Sequence, residues 1–398
     1  MTTTMTQKPL QCDVLIVGGG PVGGVLAGLL AAIPLHIVVV DHLAPEEVLH
    51  KDQDGRTTAV SWGSSRIMER MDLWQKLLPH TTPIRQIRVS QSSSPGFLHF
   101  NQEDAEGHPM GFILENRELR KALYQMMSDR ENIRLITPHS VKRLVSHPLN
   151  VEATLSNGQI IQAKLIVGAD GRFSRIREEA GIKSHTMHYH QTAIVTSVQH
   201  EKPHHHIAFE HFLPTGPLAF LPVKTHHSSV VWSLKNEWAA AMQSLSQEEF
   251  AQELEIRFPY LGKLTLTSKR WLYPLAATLP RRMKAERCVL IGDAAHAIHP
   301  VAGQGANLGF RDASTLATLV HESARLGIDI GNETVLSRYQ RRRLKDVASM
   351  TCMTDGLVRL FSHPSRTLAF MRGQGMSLVN VIAPLRKCLT RHAMGIGL

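Results

Sequence analysis

Two acids in this chain stand where an acid at a strand end can hold a polar ligand. Residues 288–291, Cys-Val-Leu-Ile, read as a buried strand, and Gly292-Asp293 follow directly. A loop of small residues, broken by Pro300, then leads through Gly303 and Gly305 into a helical pattern carried by Leu308, Phe310 and Leu316. A carboxylate at Asp293 can accept hydrogen bonds from hydroxyls. The glycines let backbone come close, and a helix start near Gly305-Ala306-Asn307 offers unpaired N–H groups and partial positive charge. The second acid is Asp41. It ends the apolar run His36–Val40, which follows the strand-like residues 12–17, the turn Gly18-Gly19-Gly20-Pro21-Val22-Gly23, and the helical spacing of Val25, Leu26, Leu29 and Leu30. Strand, glycine turn, helix, strand and acid within about thirty residues is the setting a dinucleotide fingerprint requires. Gly18 and Gly20 serve the turn and the approach of a pyrophosphate, Gly23 and Gly24 let the helix pack on the strand, and Asp41 would accept ribose hydroxyls.

The elements that position these residues follow from periodicity. Helical spacing recurs over 67–78 and 117–128, the latter with Asn116 as its expected cap. Residues 84–90, 97–100, 110–114, 133–137 and 141–146 read as strands, and 151–163 alternates around Asn157-Gly158, a hairpin signal. Leu165-Ile166-Val167 is a further buried strand, ending at Gly168-Ala169-Asp170-Gly171. From 185 the character changes. Short strands at 192–198, 207–213, 218–222, 228–234 and 271–275 alternate with Pro, Gly and His turns, a second and mostly antiparallel sheet. Ser246 and Glu249 form a capping box for a helix to about Phe258. The tail from 333 is helical, with expected breaks at Pro364, Gly373–Gly375 and Pro384. The expected division is 1–184 and 286–335 as one nucleotide-binding domain, 185–285 as an inserted β domain, and 336–398 as a helical C-terminal region.

Length and composition limit the function. The 398 residues exceed one small domain, and 43% hydrophobic with 20% charged residues is the balance of a folded protein. The four cysteines show no CxxC, which argues against a disulfide framework or zinc site. Of the 23 histidines, the run His204-His205-His206 lacks any metal-ligand spacing, so no metal is expected. The net charge of +10 is concentrated late, with ten Lys/Arg against two acids from Arg341 onward. Such a tail suits a solvated face, an anionic membrane surface or an acidic partner. No aromatic-interleaved basic motif supports nucleic acid. No apolar run is long enough to span a bilayer, and the polar start MTTTMTQKPLQ lacks the centre of a signal peptide, so a cytoplasmic location is expected.

Three motifs together, GGGPVGG at 18–24, GADGRFSRIR at 168–177 and IGDAAHAIHPVAGQGANLGFRDA at 291–313, resemble the class A flavoprotein aromatic hydroxylases. The stretches DGRTTAVSWGS at 54–64 and TDGLVRLFS…MRGQGMSLVNVIAPLRK at 354–387 narrow the likeness to the ubiquinone-biosynthesis hydroxylases, of the 2-octaprenyl-6-methoxyphenol hydroxylase type. The resemblance implies an α/β fold like that of para-hydroxybenzoate hydroxylase: a Rossmann-like FAD-binding domain, an inserted β substrate domain and a helical C-terminal region. It implies FAD, with NAD(P)H as transient reductant. The reaction would be ring hydroxylation of a polyprenylated phenol by oxygen through a flavin hydroperoxide. In that family the first motif binds the ADP part, Asp170 lies where the cofactors meet, and Asp293 meets the ribityl chain. Gly303, Gly305 and Asn307 lie under the flavin's pyrimidine edge. Arg56 and Arg117 face the phosphates or ring, each with the alternative of a surface arginine. His296 and His299 share the flavin-facing loop, where a packing or loop-bonding role is expected over acid–base work. The chemistry is the cofactor's, so no catalytic side chain is assigned, and no residue of 185–275 matches a substrate contact. A prenyl tail would need an apolar channel. Val379, Val381, Ile382 and Leu385 beside Arg386 and Lys387 suggest peripheral contact on the inner membrane face. The rival readings are a hydroxylase of a small soluble aromatic, a non-catalytic flavoprotein subunit and a lipid-binding module.

Overall fold

In the computed structural model, which describes residues 8–50, 55–92, 94–363 and 365–396, five parallel strands form the floor of the molecule. Their order is Cys288–Leu290, Ile160–Gly168, Leu10–Val17, Ile37–Val40 and Ile133–Ile136. These are the near-continuous apolar runs of the sequence, buried because helices cover the sheet. Register aligns their ends: Val17 stands level with Val40 and with Gly168, and Gly168 with Leu290. The turns that follow, at Gly18, Asp41, Asp170 and Gly292-Asp293, therefore share one edge, where ligands bind in open α/β sheets. The hairpin Val151–Leu155 to Ile160–Gly168 turns at Gly158 (φ +85°) and extends this sheet antiparallel.

The second sheet holds the strands Ser184–His200, Ile207–Leu213, Gly216–Lys224, His227–Lys235, Leu264–Leu266 and Trp271–Pro280. It also takes Gln86–Gln91 and Ser94–Asn101 from the first segment of the chain, the former pairing parallel with Ile207–Leu213. Alternation divides its faces. Phe220, Trp232, Phe250 and Phe258 form a core with the helices Asn236–Ser244 and Gln247–Arg257, the latter opened by the expected Ser246/Glu249 capping box. The opposite face looks toward the parallel sheet.

Local expectations differ from the structure at several points. The run 84–90 is two strands in two sheets: Thr81–Ile84 pairs with Gly111–Glu115, and Gln86–Gln91 joins the second sheet. The chain switches at Arg85, whose N–H reaches the His206 carbonyl at 2.9 Å. Asn116 is not a cap but the first residue of the helix Asn116–Ser128, and its Oδ1 accepts a 2.6 Å hydrogen bond from the Thr58 hydroxyl. Gly373–Gly375 do not break the helix Arg366–Val381. At Gly373 the helix approaches the Ser94–Asn101 strand so closely that a Cβ at Gly96 would stand 2.9 Å from Gly373. Pro384 opens the last helix, Ala383–Ala393. The helix Glu333–Ser362 runs unbroken across the boundary expected at 335/336. Residues 1–7, Asp54 and the break expected at Pro364 lie outside the described residues.

Candidate active site

A cavity of about 1130 Å³ lies between the aligned strand ends and the open face of the second sheet. That exceeds the roughly 300–1,000 Å³ of an ordinary ligand pocket and leaves room for more than one molecule. Gly18, Gly20, Asp41, Arg56, Asp170, Asp293, Gly303, Gly305 and Asn307 all line it, whereas Gly23 and Arg117 do not.

The first motif is a tight turn under steric constraint. Gly18 has φ +106°, and a Cβ there would sit 2.3 Å from the Ala169 carbonyl oxygen. A Cβ on Gly23 would sit 1.9 Å from the Gly18 carbonyl oxygen, so Gly23 sets helix–strand packing rather than touching the cavity. At Gly20 a Cβ would meet nothing within 4 Å, which leaves the N-terminus of the helix Pro21–Leu30 open to a ligand. Asp41 accepts from the Gly19 N–H at 2.6 Å and the Leu43 N–H at 3.0 Å, so it anchors the turn as well as facing the cavity.

Asp170 is largely occupied by its own turn. Its carboxylate accepts from the Ser174 hydroxyl at 2.5 Å and the Ile176 N–H at 3.1 Å, at the start of the short helix Arg175–Glu179. Burial raises its pKa against these bonds. From that helix the buried Arg177 donates to the carbonyls of Ala294 and Arg172, tying this motif to the Asp293 loop. Asp293 itself is exposed between buried Gly292 and Ala294, and among the described residues no hydrogen bond engages its carboxylate.

The helix Gln304–Arg325 starts at Gly303 (φ +61°) with no acid in its first turn, and a Cβ on Gly305 would meet open space. The Asn307 side chain is engaged within the protein, at the cavity edge. Its amide donates to the carbonyls of Ala59 (2.8 Å) and Gly303 (3.1 Å), and its oxygen accepts from the Ser61 N–H. Both donors are spent on clamping the Thr57–Ser61 strand to the helix start. One turn further, buried Asp312 accepts from the Gly292 N–H (2.9 Å), His296 Nε2 (2.6 Å) and Arg343 Nε (2.6 Å). Burial alone would raise the Asp312 pKa, but His296 and Arg343 outweigh it and hold the acid low. Arg343 and Arg311 also share Asp346. This network fixes the Asp293 loop against two long helices.

His296 is therefore a buried brace outside the cavity lining. His299 accepts from the Val301 N–H at Nδ1 (3.3 Å), so its Nε2 donates to Gln191 (3.2 Å). Burial pushes its pKa down to about 4 and keeps it neutral. Among the arginines, Arg56 lies over the Tyr273 ring at 4.9 Å on the cavity wall. Arg117 is turned outward and pairs with Glu118 at 3.2 Å. The cavity instead receives Asn116, Arg120 and Tyr124, an i, i+4, i+8 stripe on the same helix. That spacing is legible in the sequence once the helix start is placed.

Residues 11–354 match the family model described as an FAD binding domain. The chain is 43% identical over 384 residues to ubiquinone hydroxylase UbiL of Rhodospirillum rubrum, covering 96% of this chain and 89% of that protein. It is 32% identical to 3-demethoxyubiquinol 3-hydroxylase of Escherichia coli, covering 98% and 100%. Among solved structures, p-nitrophenol 4-monooxygenase PnpA of Pseudomonas putida superposes with a TM-score of 0.80 at 17% identity, covering 98% of this chain and 100% of that one. The cavity suits FAD on its own geometry. The Gly20 helix end is open, the Asp293 carboxylate is unengaged by described residues, and a second helix end opens at Gly305.

Proposed function

The chain belongs to the ubiquinone-biosynthesis hydroxylases within the FAD-dependent class A family, and from that premise we propose that it places one atom of oxygen on the aromatic ring of a polyprenylated phenol. The observation that carries this is the single cavity joining a polar, nucleotide-type strand edge to an apolar sheet face and the C-terminal helices. Bound FAD supplies the redox and oxygen chemistry, with NAD(P)H as its transient reductant. The chain's residues bind, orient and exclude water. The Gly18–Gly20 turn and the helix end behind it receive the pyrophosphate, and Asp41 receives ribose hydroxyls. Asp293 receives the ribityl hydroxyls, and Asp170 shapes the turn beside it. The Gly303–Gly305 helix end stabilises negative charge on the reduced ring, with Asn307 holding that end in place. Arg56 and Arg120, rather than Arg117, meet phosphate or ring. Pro300 and Val301 wall the reaction space. The four-part division 1–184, 185–285, 286–335 and 336–398 belongs to the same reading. Its inserted part is completed by strands 86–91 and 94–101, and its last border is displaced to the helix start at Glu333.

The substrate's tail follows from the C-terminal helices. No helix among the described residues is long and apolar enough to cross a membrane. Yet Leu368, Met371, Val379 and Leu389 line the cavity while Phe370, Leu378 and Val381 of the same helix pair stand exposed, Val381 at 81%. This supports peripheral contact with a bilayer, from which a prenyl chain passes between the helices. Replacing Phe370, Leu378 and Val381 together by Ser should abolish sedimentation with anionic liposomes and leave FAD content unchanged. Equal liposome binding would refute the contact. Point changes are the right probe, because Met394 is fully buried and a truncation of the tail would remove core. For the function itself, deleting the gene should make a prenylphenol one ring oxygen short of the normal intermediate accumulate. An unchanged quinone pool would oppose the assignment.

A further inference from the structure

The cavity holds four acids, and three of them, Asp41, Asp170 and Asp293, sit on the parallel-sheet edge. The fourth, Glu210, stands alone on the second sheet. In the strand Ile207–Leu213, residues 208, 210 and 212 share the cavity face. Across the sheet Glu210 is level with Val89 on one side and Ala219 on the other, both cavity-lining and apolar. Its neighbour on the same face, Phe212, is about 7 Å along the strand and packs in one cluster with Val301 of the loop that walls the reaction space. Glu210 is half-buried, and its exposed part opens into the cavity.

Nothing among the described residues engages this carboxylate. On the same strand, His211 points to the other face and bonds Ser90. Arg88 on the adjoining strand and Lys224 on the other are exposed. On the helix Glu333–Ser362, Asp355 pairs with Arg359. On the next helix, Arg372 is held by Gln91 and by the carbonyls of Leu360 and His363. Desolvation is the one cause acting on Glu210, and it pushes the pKa up to about 7. A lone carboxyl on an apolar wall is costly to a fold unless something arrives to use it.

Resting on the hydroxylase reading above, we propose that Glu210 is a catalytic residue that receives the phenolic hydroxyl of the substrate and takes its proton as oxygen is transferred. The phenol O–H bond breaks, the proton passes to a carboxylate oxygen, and the electron pair stays on the phenolate, which enriches the ring carbons ortho and para to it. When the hydroxylated ring regains aromaticity, the hydrogen on the attacked carbon leaves as a proton that ends on the second oxygen atom of O2, which departs as water, and the carboxylic acid returns its proton to the phenolic oxygen. A base that titrates near neutrality suits this transfer better than an ordinary carboxylate, because it keeps an ionised fraction near pH 7 and is closer in basicity to a phenol. The wall around it, apolar at Val89, Leu98, Ala219 and Val231, then leaves the hydroxyl one strong partner on that side.

The test is hydroxylated product formed from a short-chain prenylphenol, followed across about pH 6–9, in the FAD-loaded wild type and in Glu210→Gln. In the wild type, kcat/KM should rise with pH through an ionisation near 7. In Glu210→Gln that rise should vanish and kcat/KM should fall about 100-fold at high pH, with FAD content and the rate of flavin reduction by NAD(P)H without substrate unchanged. A flat wild-type profile overturns the proposal without any variant. So does a Gln variant with wild-type kinetics, or one that is slower but keeps the wild-type pH profile. Absence of hydroxylated product from the wild type at every pH would instead sink the hydroxylase reading on which the proposal rests.

Discussion

Asp293 stands exposed between two buried neighbours, so replacing it alters the chemistry of the cavity and little of the packing. Asp293→Ala should weaken FAD binding about tenfold or more, read by titrating deflavinated protein, with the melting temperature of the apoprotein unchanged. The two arginines of the helix Asn116–Ser128 make a paired prediction. Arg120→Ala should weaken FAD binding and Arg117→Ala should leave it intact; the reverse order would return Arg117 to the site. Arg117 came from the family resemblance, and its place directly after the expected cap left a surface arginine as the alternative. The Thr58 bond that draws Asn116 into the helix reveals which face looks inward, and that bond spans 58 residues. His299 carries a pH dependence. Its folded pKa of about 4 lies below the ordinary 6.5, so its contribution is complete above pH 6.5 and is lost as pH falls toward 4. The size is on the order of 3 kcal/mol. The stability of the wild type over His299→Gln should therefore shrink between pH 7 and 4.5, as followed by thermal melts. A constant difference would show that the imidazole is not held neutral.

At the scale of elements, glycines separate packing from binding. Gly23→Ala drives a Cβ to 1.9 Å from backbone, while Gly305→Ala places one in open space at the cavity. The first should cost at least about 2 kcal/mol of stability, and the second should melt like wild type yet bind FAD less well. Equal melting of both would mean that the Pro21–Leu30 helix can shift off its strand. The parallel strands, their glycine turns and the capping box were legible because each signal is local: an apolar run, a turn residue or a Ser-x-x-Glu spacing. The switch of sheets at Arg85 was not, because one strand-like stretch, Ile84 to Ser90, serves both strands. Gly373–Gly375 read as a break because a glycine's local cost is visible in sequence, whereas the strand it packs against lies about 280 residues earlier in the chain.

In the whole molecule, the site depends on contacts that no local pattern announces. Asp312 gathers Gly292 and His296 from one loop and Arg343 from a separate helix, and Gln86–Gln91 completes a sheet built mainly from residues a hundred positions later. Glu210 belongs to the same class. The alternation in Ile207–Leu213 shows two faces, but only the assembled molecule shows that one of them walls a cavity. The cofactor end was readable from motifs, and the substrate end was not, because an apolar wall for a lipid-tailed ring needs shape and few fixed residue types. The account as a whole is tested most directly by supplying the purified FAD-loaded protein with NAD(P)H, a short-chain prenylphenol and isotopically heavy oxygen gas, and weighing the product. The expected result is a phenol that gains one ring hydroxyl bearing a single heavy oxygen atom. Consumption of NAD(P)H and oxygen with the phenol returned unlabelled and unchanged would contradict it.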